Sequence, residues 1–173
     1  MTVYLATDHA GFTLKEKVKT FLEKEGYSVS DCGAYEYDKN DDYPDFISKA
    51  ASEVSKDPEN SRGIIFGGSG QAEMMTANKF KGVRCGLFYA ATIPVRAADI
   101  TGRMSSNPYE IIRLTREHNN ANMLSIGARF VTDKEALKVS AIFLETPFSG
   151  EERHKRRIEK ISNLEEGDAC SCC

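Results

Sequence analysis

Hydrophobic and polar positions along this chain fall into two rhythms that take turns. VYLA at 3–6 is a short apolar run closed by polar Thr7 and Asp8, which predicts a strand. Leu14, Val18, Phe21 and Leu22 then recur at i, i+4, i+7 and i+8, one face of a helix that Gly26 ends. YSVSDCG at 27–33 reads as a second strand. After a polar loop, DYPDF at 42–46 opens a second helix carrying Phe46, Ile47, Ala50, Ala51 and Val54. GIIF at 63–66 is a third strand running directly into GGSG, with a helix expected over 72–79. VRCGLFY at 83–89 and NMLSIGA at 122–128 supply the fourth and fifth strands, separated by a helix over 109–117. Thr132 and Glu135 have capping-box spacing ahead of Ala136, Leu137, Ser140, Phe143 and Leu144. The last helix, 153–165, carries only the sparse stripe Ile158, Ile161 and Leu164, so it is expected on a surface or a partner rather than in the core.

Five alternations of strand and helix imply β-α-β units, hence an α/β fold with a parallel sheet covered by helices on both faces. Ligands on such sheets sit beyond the carboxyl ends of the strands, near a switch point. That singles out the loops at 7–11, 67–71 and 89–92.

Composition narrows the picture mainly by exclusion. A length of 173 residues fits one domain with a real core, expected over 1–165, followed by a disordered cysteine-rich tail over 166–173. With 23 basic against 26 acidic residues the net charge is −3, without the basic excess that nucleic-acid or membrane-surface binding favours. No apolar run approaches the ~20 residues needed to cross a bilayer. The start, MTVYLATDHAGF, lacks the basic and apolar regions of a secretory signal, so a cytoplasmic location is expected. Cys32 and Cys85 stand singly in apolar surroundings, while Cys170, Cys172 and Cys173 crowd the end. That is no distributed disulfide framework.

Four polar constellations could carry chemistry. Thr7-Asp8-His9-Ala10-Gly11 puts an acid and a histidine where the first strand ends, although Asp8 also suits a plain helix cap. Gly67-Gly68-Ser69-Gly70-Gln71-Ala72-Glu73 offers inward-pointing amides for a phosphate or an oxyanion. It is not a dinucleotide fingerprint, because Glu73 stands at the third glycine position, nor a P-loop, which needs Gly-Lys-Ser/Thr. Glu73 is placed like a general base, and equally like a surface residue favoured by the helix dipole. Arg116-Glu117-His118-Asn119-Asn120 would project His118 and Asn119 from a helix end, where the dipole also favours a cation. Glu151-Glu152-Arg153-His154-Lys155-Arg156-Arg157 sets Arg153 and Arg157 four apart on one face, suited to a phosphate, with Glu151 and Glu152 able to neutralise it. All three histidines lie in these motifs.

Together and in order, TDHAGFTLKE (7–16), DYPDF (42–46), GGSGQAEMMTANK (67–79), GVRCGL (82–87), REHNNANMLSIGAR (116–129) and TPFSGEERHKRRIEKI (146–161) resemble the ribose-5-phosphate isomerase B family, which includes galactose-6-phosphate isomerase subunits. The resemblance runs from 3 to about 161. It implies a Rossmann-like three-layer α/β/α fold with the last helix on a partner subunit. It also implies a homodimer with interfacial sites, a tetramer being the larger alternative, and cofactor-free, metal-free interconversion of ribose 5-phosphate and ribulose 5-phosphate through a cis-enediolate. Some members carry a cysteine base at the position of Gly67, and a second subgroup carries a glutamate at that of Glu73, which this chain resembles. Cys85 then reads as core. By the same resemblance Ser69 helps move protons between substrate oxygens, amides around 70–73 stabilise the enediolate, and His118 assists ring opening. Asp8 and Tyr43 contact the sugar, and His9, Arg129, Arg153 and Arg157 hold the phosphate, some from the partner. Gly68, Gly70, Gln71, Ala72, Asn119 and His154 complete the expected substrate contacts.

Between Tyr89 and Arg116 the chain is longer than the family pattern by roughly one helix, an extension expected to be a loop bordering the site. The tail lacks the aliphatic residues of a prenylation box, and lipidation or metal capture there are minor alternatives to disorder. Two other functional readings stay open on sequence: an isomerase of allose 6-phosphate or galactose 6-phosphate, and a non-catalytic phosphosugar-binding module on the same fold.

Overall fold

The computed structural model describes residues 1–166, so the expectation of a disordered tail falls almost wholly outside the described residues. Five strands, β1 (Thr2–Thr7), β2 (Ser28–Asp31), β3 (Ser61–Gly67), β4 (Cys85–Phe88) and β5 (Met123–Gly127), form one parallel sheet in the order β2-β1-β3-β5-β4. Six α-helices connect and flank them: α1 (Phe12–Lys24), α2 (Pro44–Lys56), α3 (Gln71–Ala77), α4 (Glu110–Asn119), α5 (Asp133–Glu145) and α6 (Glu152–Glu165). A single 3-10 turn, His9–Gly11, leads from β1 into α1. This is the three-layer arrangement expected from the alternating pattern.

Side chains alternate across the strands, and that alternation divides the core. On one face Leu5, Ile64, Phe66, Leu124 and Ile126 pack with Leu14, Val18, Leu22, Val139 and Phe143. On the other, Ala6, Ile65 and Met123 pack with Ile47, Ala50, Ala51 and Val54. Central strand β3 is covered on both faces, which explains its unbroken GIIF run, since Ile64, Ile65 and Phe66 are all fully buried. The chain leaves β1 to one side for β2 and returns to its other side for β3. That reversal opens a crevice at the carboxyl ends of β1 and β3.

Where the sequence expects a strand over 27–33, regular structure stops at Asp31. The backbone nevertheless stays beside β1, through Cys32 N–H to the Leu5 carbonyl and Ala34 N–H to the Thr7 carbonyl. Lys15 holds this turn from inside α1. Its ammonium is fully buried and donates to both carboxylate oxygens of Asp31 at 2.6 and 2.7 Å and to the Ala34 carbonyl at 2.8 Å. Burial pushes the Asp31 carboxyl up, but hydrogen bonds from Lys15, Gly33 N–H and Lys19 outweigh it and hold the group below its ordinary range.

Residues 89–108 contain no helix, and the extension is an irregular loop at the carboxyl end of β4. It is fastened by buried Glu110, whose carboxylate accepts from Arg103 at 2.7 Å and Ser105 at 2.9 Å. Helix α6 lies along α4 of its own chain, with Ile158 and Ile161 facing a cleft beside Ile111 and Leu114. Its Ile161 and Leu164 remain 47% and 64% exposed, as the sparse stripe anticipated.

Removing one partner of a buried ion pair strands the other. Lys15→Met should therefore lower unfolding free energy by about 3 kcal/mol, the low end for such a loss because Lys19 and Gly33 N–H stay on Asp31. Lys19→Met should cost under about 1 kcal/mol, since that lysine is partly exposed. Urea titration of both variants checks this, and equal losses would contradict it.

Candidate active site

Strand β3 ends in glycine, and that glycine shapes the pocket beyond it. A Cβ built on Gly67 would lie 1.9 Å from the Glu73 carboxyl carbon, so Glu73 can occupy this position only while residue 67 carries no side chain. The Glu73 side chain folds back from the first turn of α3 into that space and is only 4% exposed. It is not the solvated helix-dipole residue that the sequence left open. Burial pushes its carboxyl above the ordinary range, its own backbone N–H opposes that, and the negative charge of Asp8 adds to it.

The loop between Gly67 and α3 is held from below. Gly70 adopts φ 76°, in the left-handed region, with the Leu87 side chain where its Cβ would go. Its carbonyl accepts from the buried Ser125 hydroxyl at 2.7 Å. Gly67 and Gly68 carbonyls accept from Ala128 and Arg129 N–H groups, tying the loop to the end of β5. The Arg129 guanidinium lies over Gly68, 3.2 Å from where a Cβ would stand. Ser69 and Ala72 are half-buried at the rim, and Gln71 is exposed.

At the neighbouring end of β1, Asp8 both caps and faces the crevice. One carboxylate oxygen accepts from Ala10 N–H at 3.0 Å, while the other lies 3.9 Å from His9 Nδ1. His9 meets Asp41, a residue no sequence motif singled out. One Asp41 oxygen accepts from both His9 N–H and Nδ1–H, at 3.0 and 2.6 Å. Its signal was an acidic pair, Asp41-Asp42, that read as the polar approach to a helix. Tyr43, half-buried, stands at the start of α2. Asp8, His9 and Asp41 each place a metal-ligand type of atom within 4.8 Å of the others. At 2.6 Å the His9–Asp41 contact is a hydrogen bond, leaving no room for an ion between those two atoms.

His118, Asn119, His154 and Arg157 gather elsewhere. Helix α4 runs back to the amino end of β5, so its last turn lies at the opposite end of the sheet from Glu73. There the His118 and His154 rings stack at 4.3 Å beside a cleft of about 190 Å³ that Asn119 and Arg157 also line. His154 is buried, and burial together with the charge of His118 lowers its pKa. Arg153 sits half-buried next to them with its Nε 2.8 Å from Glu151, so part of the basic run is internally paired. One chain therefore brings Asp8, His9, Tyr43, Gly68, Ser69, Gly70, Gln71, Ala72, Glu73 and Arg129 to one end, and leaves the remaining expected residues at the other. Cys85 is buried core, its thiol pushed far up by burial, and burial likewise moves Cys32 up to about 11. Neither is a reactive thiolate.

Known proteins share this sequence pattern and fold. The Ribose/Galactose Isomerase family matches residues 3–100 and 95–161, two stretches that meet inside the 89–108 loop. Ribose-5-phosphate isomerase B of Mycolicibacterium paratuberculosis is 42% identical over 165 residues, covering 95% of this chain and 92% of the relative. The structure of ribose-5-phosphate isomerase B from Mycoplasma genitalium with bound ribulose 5-phosphate superposes with TM-score 0.82 at 36% identity, covering 95% and 96% of the two chains. That from Trypanosoma cruzi gives 0.80 at 32% identity, with 97% and 98% covered. The match in sequence and in fold runs over nearly the whole chain, and the chain belongs to the Ribose/Galactose Isomerase family.

Proposed function

We propose that the chain interconverts ribose 5-phosphate and ribulose 5-phosphate, with Glu73 as the base that carries the proton. One observation supports this above the others: a carboxylate buried at the carboxyl end of β3, under a glycine loop, in space that a side chain at 67 would fill. Aldose–ketose exchange needs one base that reaches two adjacent carbons and donors aimed at the oxyanion that develops. Glu73 takes the proton from C2 of the open-chain aldose and returns it to C1 of the enediolate. The amides of Gly70, Gln71 and Ala72 stabilise the developing charge, the Glu73 N–H being engaged by its own carboxylate, and the Ser69 hydroxyl moves a proton between the two substrate oxygens. Burial makes Glu73 a stronger base than an exposed glutamate. A pure phosphosugar-binding site would gain nothing from a negative group there, which favours the enzyme over the non-catalytic reading.

Asp8 and Tyr43 contact the sugar, while His9 and Arg129 hold the phosphate. The groups left at the other end, His118 for ring opening with Asn119, Arg153, His154 and Arg157 on the phosphate side, serve the site of a second copy. An antiparallel two-fold pair would bring the last turn of each α4 to the other chain's glycine loop. The reading requires no metal, since its base and its donors are all protein groups.

Ribose 5-phosphate, allose 6-phosphate and galactose 6-phosphate should be assayed side by side in deuterated water, with and without chelator. Ribose 5-phosphate should be the best substrate, solvent deuterium should enter the transferred position, and chelation should change nothing. Intact transfer of substrate hydrogen, together with near-wild-type turnover of Glu73→Gln, would indicate a hydride shift and contradict the Glu73 route.

Composite sites make a second prediction. Asp8→Ala and His118→Ala homodimers should each be strongly impaired. Mixed and reassociated, they should regain about a quarter of wild-type activity, because random pairing of two-fold dimers leaves that share of sites intact. No recovery in verified hybrid dimers would place the whole site within one chain.

A further inference from the structure

The loop from Tyr35 to Tyr43 carries a carboxylate whose geometry goes beyond packing. Asp41 Oδ1 accepts two hydrogen bonds from the same residue, His9 N–H at 3.0 Å and Nδ1–H at 2.6 Å, and so fixes both its backbone and its ring. The Asp41 side chain is only 9% exposed, and its second oxygen, Oδ2, is buried without a hydrogen-bond partner. An unpartnered buried carboxylate oxygen is costly, and a fold does not keep one merely to fasten a surface loop. The loop itself is anchored independently. Lys15 fastens its start through Asp31 and Ala34, and Asp41 N–H closes a turn onto the Asp38 carbonyl.

Protonation chemistry gives the arrangement its consequence. A carboxylate only accepts, so the contact obliges Nδ1 to carry the hydrogen and leaves Nε2 as the one ring nitrogen free for a ligand. With Nδ1 committed, Nε2 can donate to a phosphate oxygen only from the doubly protonated ring. The Asp41 carboxylate, with Asp8 at 3.9 Å, is the counter-charge that ring faces. The Tyr37 ring stands edge-on to it, centroids 6.3 Å apart.

We infer that Asp41 is a positioning residue: it orients His9 and commits its ring to donate through Nε2 to the phosphate of the substrate. This rests on the reading that His9 meets the phosphate. Asp41 does not touch the reacting carbons, and it acts through His9.

A thermodynamic cycle tests it, using KM for ribose 5-phosphate, kcat, and competitive inhibition by inorganic phosphate on the full-length dimer. Asp41→Ala should raise both KM and the inhibition constant for phosphate by tenfold or more while kcat changes less than about threefold, the pattern of a lost binding interaction. Asp41→Asn keeps an acceptor without the charge. It should fall between wild type and Ala, and it serves as the variant of record if Ala does not fold. The decisive arm is the double variant: in a His9→Ala background, Asp41→Ala or Asp41→Asn should cost nothing further. A full additional loss there, or unchanged phosphate affinity in the single Asp41 variants, overturns the inference. If His9→Ala by itself leaves KM and phosphate inhibition normal, the phosphate reading of His9 has failed, and the inference falls with it for a separately visible reason.

Discussion

The proposed site at the carboxyl end of the sheet depends on a missing Cβ. At Gly67 the last residue of the central strand offers bare backbone, and the Glu73 carboxylate lies against it at a distance no side chain would tolerate. The contact turns an acidic residue of a helix's first turn, ordinarily solvated, into a buried group with a raised pKa. A folded-state pKa above the unfolded one means that the protonated carboxyl is the form the fold prefers. Its stabilising contribution is complete below the ordinary glutamate range and is lost as pH rises through the folded value. At neutral pH the fold therefore carries a destabilised carboxylate, as sites that need a base commonly do. A side chain at 67 and the Glu73 carboxylate would compete for one space in this chain.

The second organising fact is direction. Parallel strands send every loop after a strand to one end of the sheet and every helix terminus before a strand to the other. Glu73, Asp8 and Arg129 come after strands, whereas His118 and Asn119 precede one. Packing within a single chain leaves those positions at opposite ends of the sheet, which is why the proposed function assigns them to two copies. Ile161 of α6, beside the same cleft as His118, remains 47% exposed and leaves apolar surface there.

The strand–helix alternation was legible because central strands such as GIIF are apolar throughout and amphipathic helices such as α2 keep a strict period. The boundary of β2 was not, since Cys32–Ala34 run beside β1 through backbone hydrogen bonds that no side-chain pattern encodes. The glycine loop and Glu73 were legible as a motif, but whether Glu73 was exposed or buried turned on its contact with Gly67, which is tertiary. Asp41 was missed because its partner, His9, is 32 residues away and its neighbours read as helix approach. The placement of His118 at the far end, by contrast, was available from strand order alone. Lys15 gave no signal at all, because a lysine in an amphipathic helix reads as surface until its buried acceptors are seen.

The most direct measurement is steady-state kinetics of Glu73→Gln on ribose 5-phosphate, with thermal unfolding of the same sample. Glutamine keeps the size and hydrogen-bonding capacity of the side chain and removes its basicity. The account predicts kcat lower by ~10²–10⁴, the loss expected for a general base. It also predicts KM within a few-fold of wild type, and a protein at least as stable at neutral pH because no buried charge remains. A variant that folds as well and turns over at near-wild-type kcat would contradict it.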